Sequence, residues 1–250
     1  MRKFLLSAVL AFPVVSYSQV IKLEKIKSVE EVKSVKEEKN IYQEEIKLTR
    51  QIDLGEILSN LYPEINHIRK GFVANDINLR GFSRDNINVL VDGEKIYGAC
   101  PNRMDSPIFH VSTPQVEKVV ITEGPFDVKN QGSMAGVVNV KTKKPKKGLH
   151  LNAGLTAGSF QYKQGYVEVE GGSDKIKALI GYQKRYSKPY KTGEGQKITE
   201  YKHPNPINDY QGKYINHKIL DIDNFWASVL LIPDKNNELK INTAYDNAES

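Results

Sequence analysis

The sequence predicts an α+β domain followed by antiparallel transmembrane β-strands. Three observations predict it. An N-capped helix and short Val- and Ile-rich runs occupy the first half, and segments with alternating apolar residues follow residue 148. An export signal precedes both. Tilted strands of about ten residues are long enough to cross a bilayer. The alternation by itself leaves a soluble β-sandwich open as the alternative.

Residues 1–18 have the pattern of a secretory signal peptide. The basic pair Arg2 and Lys3 precedes an apolar run from Phe4 to Val15, and the small residue Ser18 follows shortly after. The run is shorter than the roughly 20 apolar residues that a membrane-spanning helix needs. We therefore expect export and cleavage near residue 18.

Composition divides the rest of the chain into three segments. Residues 19–50 are charge-dense and contain no Gly or Pro, which predicts a tether or a marginal amphipathic helix. Residues 51–147 are the predicted α+β domain, and residues 148–250 the predicted strands. The net charge is only +6, and no nucleic-acid motif accompanies the basic run "KTKKPKK". We expect this run to be a solvated linker, with a polyanion-binding patch as the alternative.

The α+β prediction for residues 51–147 depends on one helix and several strands. In "DLGEILSNL", Asp53 is a predicted helix N-cap with Glu56 three residues later. The Asp92–Gly93 pair predicts a hairpin turn. Four runs with β-propensity surround that turn: "INLRGF", "INVLVDG", "VEKVVITEGP" and "AGVVNVKTK".

About five strands fit between residues 148 and 250. Apolar residues alternate in "LHLNAGL", where Leu149, Leu151 and Leu155 share a face, and in "IKALIGY". A polar stretch from Ser187 to Leu220 predicts one long loop among short turns, as in outer-membrane barrels. An open sheet leaves edge amides unsatisfied in lipid. We therefore expect either a soluble sheet or the front part of a longer, truncated barrel.

The sequence contains a single cysteine, Cys100, four residues before Met104. A thiolate and a thioether are soft donors that favour Cu(I) over Fe(III). A helical turn beginning at Pro101 would bring both sulfur atoms to one face. A buried free thiol is the alternative interpretation. Because no positioned base is recognisable for a Cys nucleophile, we predict no catalytic residues, no bound cofactor and no enzyme activity.

The segment from residue 77 to 145 resembles the plug domain of TonB-dependent outer-membrane receptors. The resemblance rests on "INLRGF" (77–82), "INVLVDGEKIY" (87–97) and "VEKVVITEGPFDVKNQGSMAGVVNVKTKKP" (116–145). It implies a plug inside a 22-stranded barrel, of which this chain holds about five strands. It also implies an outer-membrane location in a Gram-negative-type cell and pairing of Arg80 or Arg84 with barrel acids.

Two further implications of this resemblance concern partners. A TonB-type energy-coupling protein would pair with an N-terminal TonB box, for which residues 20–29 are the candidate. The run "CPNRMD" at 100–105 is similar to the plug loop of the outer-membrane copper receptors. That similarity implies capture of a copper ion, as transported ligand, by Cys100 and Met104, with a His-x-Met pair from a barrel loop. The chain contains no His-x-Met; its local alternatives are His110, His203 and His217.

Two alternatives to copper import remain open. The first is a receptor for a siderophore or another metallophore, in which Cys100 and Met104 would be incidental. The second is a soluble periplasmic metal-binding protein, if the chain is complete.

Overall fold

The computed structural model describes residues 38–70, 74–98, 100 and 105–249. The predicted signal peptide and the candidate TonB box lie outside these residues. The described part of the chain contains no helix that is long and apolar enough to cross a membrane.

The first structural region has two short helices and eight short strands, as the sequence predicts for an α+β domain. The helices are α1 (Gln43–Thr49) and α2 (Leu54–Leu61). The strands are β1 (Glu38–Tyr42), β2 (Ile65–Ile68), β3 (Asp76–Leu79), β4 (Phe82–Ser83), β5 (Ile87–Val91), β6 (Glu94–Lys95), β7 (Val116–Glu123) and β8 (Gly136–Thr142). They form a mixed sheet of order β1-β7-β8-β5-β6 and a small antiparallel sheet of order β2-β3-β4.

Two sequence signals in this region, the helix N-cap and the hairpin turn, are confirmed. The Asp53 side chain accepts the Glu56 N–H at 3.2 Å and so caps α2, as predicted. Asp92 (φ 52°) and Gly93 (φ 98°) form the turn between β5 and β6, and positive φ at both positions is what the predicted hairpin turn requires. Gly136 has φ 155°, and a Cβ there would lie 2.4 Å from the Thr122 carbonyl oxygen. Only glycine fits at this position, where β8 begins to pair with β7.

The second structural region is one antiparallel sheet of order β13-β12-β11-β10-β9. Its strands are β9 (His150–Ala157), β10 (Lys163–Gly172), β11 (Ile176–Ser187), β12 (Leu220–Asp234) and β13 (Asn237–Glu249). The number of strands and the long loop between Ser187 and Leu220 agree with the prediction. The sheet is open in the described residues.

This sheet exposes a row of apolar side chains on the face turned away from the α+β domain. Ile176, Ile180 and Tyr182 of β11 are exposed, whereas Leu179, Gln183 and Arg185 on the opposite face are buried. The register continues the exposed row across the sheet, because Tyr182 pairs with Phe225 and Phe225 with Tyr245. The other large exposed side chains of this face include Leu151, Leu155, Val167, Val169, Leu239 and Ile241.

The structure differs from the prediction in the segment assigned to the tether. Residues 38–49 form β1 and α1 of the folded domain, and β1 pairs antiparallel with β7. The physical reason is burial, since Ile41 and Ile46 both enter the hydrophobic core. In this charged stretch the two isoleucines give only a weak periodic signal. Their burial depends on the partner strand β7.

Candidate functional site

Cys100 lies on a loop between β6 and a short 3-10 turn at Pro107–His110. The residue is half-buried and in no disulfide. Its backbone N–H donates to Oδ1 of Asp105 at 2.9 Å. Met104, the second predicted ligand, and the predicted turn at Pro101 lie outside the described residues, so the pairing of the two sulfur atoms stays a prediction.

Two further contacts close the base of the loop that carries Cys100. The backbone of Gly98 lies against Asp105 so closely that a Cβ at position 98 would be 2.7 Å from the Asp105 carbonyl oxygen. On the other side, Oδ2 of Asp105 is 3.8 Å from Nε2 of His110. Asp105 thus lies between the Cys100 backbone and the His110 ring.

The end of this loop is anchored to helix α2. The Ser106 hydroxyl is fully buried and donates to the Asn75 carbonyl oxygen at 2.9 Å. Asn75 in turn donates its N–H to Oδ2 of Asp53 at 3.2 Å. Burial raises the pKa of Asp53, although the backbone N–H groups of Glu56 and Asn75 favour its charged form. The N-cap of α2 therefore also holds the loop.

The three histidines that the sequence offered as additional ligands lie in different surroundings. His110 is beside Asp105, next to the Cys100 loop. His203 and His217 lie on the long loop between β11 and β12, where His217 contacts Tyr214 edge to face. Within the described residues no group of three or more His, Cys, Asp or Glu side chains is arranged to hold a metal ion.

A buried arginine that sequence reasoning missed links the sheet to the region of the candidate site. Arg185 of β11 donates from Nη1 to the Ile52 carbonyl oxygen at 3.3 Å and from Nη2 to Oδ1 of Asn224 at 3.2 Å. Its guanidinium carbon is 5.8 Å from the ring centre of Phe109. The only sequence signal for this contact is the basic residue itself, at an inward-facing position of an alternating strand.

Two polar clusters join the end of β8 to the sheet. Nζ of Lys240 contacts Oδ2 of Asp92 at 3.1 Å and Oγ1 of Thr142 at 2.7 Å. Next in sequence, Nζ of Lys143 contacts Oε1 of Glu168 at 2.5 Å, and the Trp226 indole N–H donates to the other oxygen of that carboxylate at 3.2 Å. Lys143 of the predicted solvated linker and Lys240 of β13 thus hold the two regions together.

Arg80, which the family resemblance suggests for a pair with a barrel acid, has different partners. Its Nε lies 3.3 Å from Glu64, and its Nη1 lies 3.1 Å from Glu123. Both carboxylates belong to the α+β domain. The contacts between this domain and the sheet are made by other side chains, among them Lys143, Lys240 and Arg185.

The long loop between β11 and β12 folds on itself. The buried Thr199 hydroxyl donates to the Ile215 carbonyl oxygen at 2.6 Å. The loop also presents exposed aromatic side chains, and Nζ of Lys213 lies 4.7 Å from the ring centre of Tyr214. The exposed tyrosines of the loop are Tyr190, Tyr201, Tyr210 and Tyr214.

Residues 29–138 match the family model described as TonB-dependent Receptor Plug Domain. The match includes the loop of Cys100 and all of β1 to β7. No curated protein matches the chain by sequence.

Solved structures with a similar fold include one copper transporter and two receptors, as their titles name them. "Copper transporter OprC" is 22% identical, with a TM-score of 0.68 over 84% of this chain and 30% of its own. The siderophore receptor PirA from Pseudomonas aeruginosa is 16% identical, with a TM-score of 0.58 over 84% and 35%. The alcaligin outer-membrane receptor FauA from Bordetella pertussis is 14% identical, with a TM-score of 0.62 over 85% and 32%. The chain thus spans about a third of the length of each, and the likeness concerns the fold.

Proposed function

Residues 29–138 belong to the TonB-dependent receptor plug family, and from that premise we propose that the chain acts in an outer-membrane transporter that imports copper ions. Copper enters as cargo, captured on the outer side of the plug by Cys100 and Met104. We assign no catalytic role and no resident cofactor to the chain.

The observation that carries the copper proposal is the place of Cys100. The residue is half-buried on a plug loop whose base is held by Asp105. It therefore differs from a thiol that merely fills a core, which would be fully buried among apolar side chains. A thiolate and a thioether on one short loop form a soft donor pair that selects Cu(I).

The proposed location in the outer membrane rests on the sheet. Its outward face is apolar, and the row Tyr182, Phe225 and Tyr245 crosses three neighbouring strands at one level. Aromatic residues at such a level are typical of the membrane–water interface of outer-membrane barrels. We propose that β9 to β13 are strands of the barrel, 22-stranded in this family, that surrounds the plug.

Import requires energy, and we propose that it comes through the N-terminal segment. The candidate TonB box at residues 20–29 leads to β1, which is the edge strand of the plug sheet. A segment before an edge strand can pair with a periplasmic partner by β-strand addition. A TonB-type energy-coupling protein is the partner that fits this role.

The copper proposal is tested by titrating the purified chain with Cu(I) under reducing conditions against a chromophoric Cu(I) chelator. We expect Cys100→Ser to weaken binding by at least about tenfold, because a thiolate ligand is lost, and Met104→Ala to weaken it as well. Met134→Ala is the matched control, since Met134 is an exposed plug methionine on another loop. Equal Cu(I) affinity of all four proteins would contradict the proposal.

The exposed tyrosines of the long loop support a second candidate, a receptor for a ferric siderophore. In that case Cys100 and Met104 would be incidental to binding. Ferric catecholate and hydroxamate complexes would then bind the wild-type chain and Cys100→Ser equally, whereas Tyr214→Ala would bind them more weakly. This result together with unchanged Cu(I) affinity of Cys100→Ser would favour the siderophore candidate.

A further inference from the structure

Arg185 of β11 joins the sheet to the α+β domain without a direct carboxylate partner. Its Nη1 and Nη2 donate to neutral oxygen atoms, the Ile52 carbonyl at 3.3 Å and the Asn224 amide at 3.2 Å. Its Nε is buried and has no hydrogen-bond partner among the described residues. Asp53 and Asp246 attract the guanidinium through space, and in the described part of the chain neither lies within ion-pair distance of it.

The surroundings of Arg185 make its charge costly to bury. The side chain is only 5% exposed. Ile222 lies opposite it on β12, and the ring centre of Phe109 is 5.8 Å from its guanidinium carbon. Both residues belong to a small apolar cluster that also contains Tyr162, Leu220 and Ile52. A charge taken from water into such a place costs free energy that is normally repaid by a directly bonded carboxylate, and the attraction of an aromatic ring repays less.

The other two cations at this boundary do have such a carboxylate. Nζ of Lys143 lies 2.5 Å from Glu168, and Nζ of Lys240 lies 3.1 Å from Asp92. We call these two ion pairs the lysine junctions. Opening a lysine junction breaks a direct ion pair, whereas opening the Arg185 contact breaks two hydrogen bonds to neutral groups and returns a buried cation to water.

We propose that Arg185 is a release point, at which the domain parts from the sheet more readily than at the lysine junctions. Opening there uncovers Ile52, which directly precedes the start of α2, and Phe109, which lies on the short turn at Pro107–His110. The inference goes beyond the proposed function, because it concerns how the plug and the sheet separate and not which cargo is carried. It is therefore tested on the purified chain in detergent without any metal.

Amide hydrogen exchange measures the two kinds of contact separately. The Phe109 N–H, bonded to the Ser106 carbonyl oxygen at 2.9 Å, reports on the Arg185 contact. The Thr142 N–H, bonded to Oδ1 of Asp92 at 3.0 Å, reports on a lysine junction. In the wild-type chain we expect less protection at Phe109 than at Thr142, because a short turn is protected only while it stays packed.

Substitutions of Arg185 test whether its charge promotes the opening. Arg185→Met keeps an apolar stem and removes the charge, so exchange at Phe109 should slow by about fivefold or more, with Thr142 within about twofold of wild type. Arg185→Lys keeps a buried cation and should not slow exchange at Phe109. Lys240→Met is the matched control at a lysine junction, where loss of the cation should speed exchange at Thr142.

A carboxylate placed beside Arg185 tests the same idea with the arginine in place. Gln164 of β10 lies directly opposite Arg185, and its Oε1 accepts the Tyr162 hydroxyl at 2.6 Å. Gln164→Glu keeps that acceptor and adds the missing negative charge on the same face, so exchange at Phe109 should slow by about threefold or more. In the double variant with Arg185→Met this gain should disappear, which is the control for the added charge.

The outcomes decide the inference without reference to copper. Slower exchange at Phe109 in Arg185→Met and in Gln164→Glu, with wild-type or faster exchange in Arg185→Lys, supports the release point. Faster or unchanged exchange in Arg185→Met overturns it, because Arg185 would then be an ordinary stabilising contact. Circular dichroism checks that each variant is folded. If Arg185→Met does not fold, Gln164→Glu decides alone, and unchanged or faster exchange at Phe109 in that variant overturns the inference. The Cu(I) titration of Cys100→Ser is unaffected by any of these results.

Discussion

The α+β domain buries most of its apolar side chains in one core, whereas the five-stranded sheet leaves a row of apolar side chains exposed on the face turned away from the domain. In the domain, residues such as Ile57 and Ile121 are fully buried inside one hydrophobic core. In the sheet, the polar side chains Glu168 and Gln183 are buried against the domain, and Ile180 is 54% exposed on the far side. The sheet thus buries polar side chains on one face and exposes apolar side chains on the other.

This difference teaches where each region obtains its stability. The domain gains it from its own core, because apolar surface leaves water when the domain folds. The sheet has a smaller buried apolar cluster and depends more on its ladder of hydrogen bonds and on contacts with the domain. An isoleucine in a strand therefore contributes differently to the stability of the two regions.

The largest expected effect comes from shortening a core isoleucine of the domain. Ile121→Ala in β7 should lower the free energy of unfolding by about 2–5 kcal/mol, because Ile121 is fully buried and a cavity would remain. Urea unfolding in detergent, followed by circular dichroism, measures this loss.

The matched substitution in the sheet is Ile180→Ala. About half of the Ile180 side chain is exposed, so the loss of stability should be clearly smaller than for Ile121→Ala. Equal losses at the two positions would break the contrast between the domain and the sheet.

A middle-sized effect is expected where the two regions meet. Lys240→Met removes a largely buried cation from Asp92 and Thr142 and should cost about 1.5–3 kcal/mol, as for other hydrogen bonds to charged groups. The free energy of unfolding measures it, and a double-mutant cycle with Asp92→Asn isolates the coupling.

Lys144→Met is the control for this junction. Lys144 pairs with Glu238, but both side chains are about half exposed, so the expected cost is below about 1 kcal/mol. A larger loss for Lys144→Met than for Lys240→Met would show that burial does not decide the strength of these contacts.

The smallest expected effect is a pH dependence confined to the plug loop at Asp127. Burial opposes the charge of Asp127, but hydrogen bonds from Asn88, Asn130 and the Lys129 N–H outweigh it and lower the pKa. The charged Asp127 carboxylate therefore stabilises the loop at pH values above the ordinary Asp pKa of about 3.9. This stabilisation is lost as the pH falls through the lowered pKa of the folded state.

Hydrogen exchange of the Lys129 and Asn130 amides at pH values from 6 down to about 3 measures this opening. In Asp127→Asn the opening should no longer change over that range. An unchanged pH response in that variant would mean that another group controls the loop.

Much of the fold is predictable from local patterns in the sequence. The N-cap Asp53, the turn at Asp92 and Gly93, and the alternation around Ile180 each specify an element by near-neighbour physics. The placement of Cys100 on a loop is predicted by the family resemblance and not by a local pattern. The contacts of Arg185 and Lys240 are predictable from neither, because each depends on a partner brought close only by folding.

The sequence by itself determined the order of the elements and the division into a domain and a sheet, whereas the joint role of Cys100 and Met104 stays a prediction. Helix caps, turns and strand periodicity act over a few residues, so the local sequence encodes them. Only the tertiary structure decided that β1 joins β7, that Lys143 and Lys240 hold the sheet to the domain, and that Arg80 stays within the domain. These contacts join residues up to 148 positions apart, as in Lys240 with Asp92, and their partners are chosen by packing and charge in the folded chain.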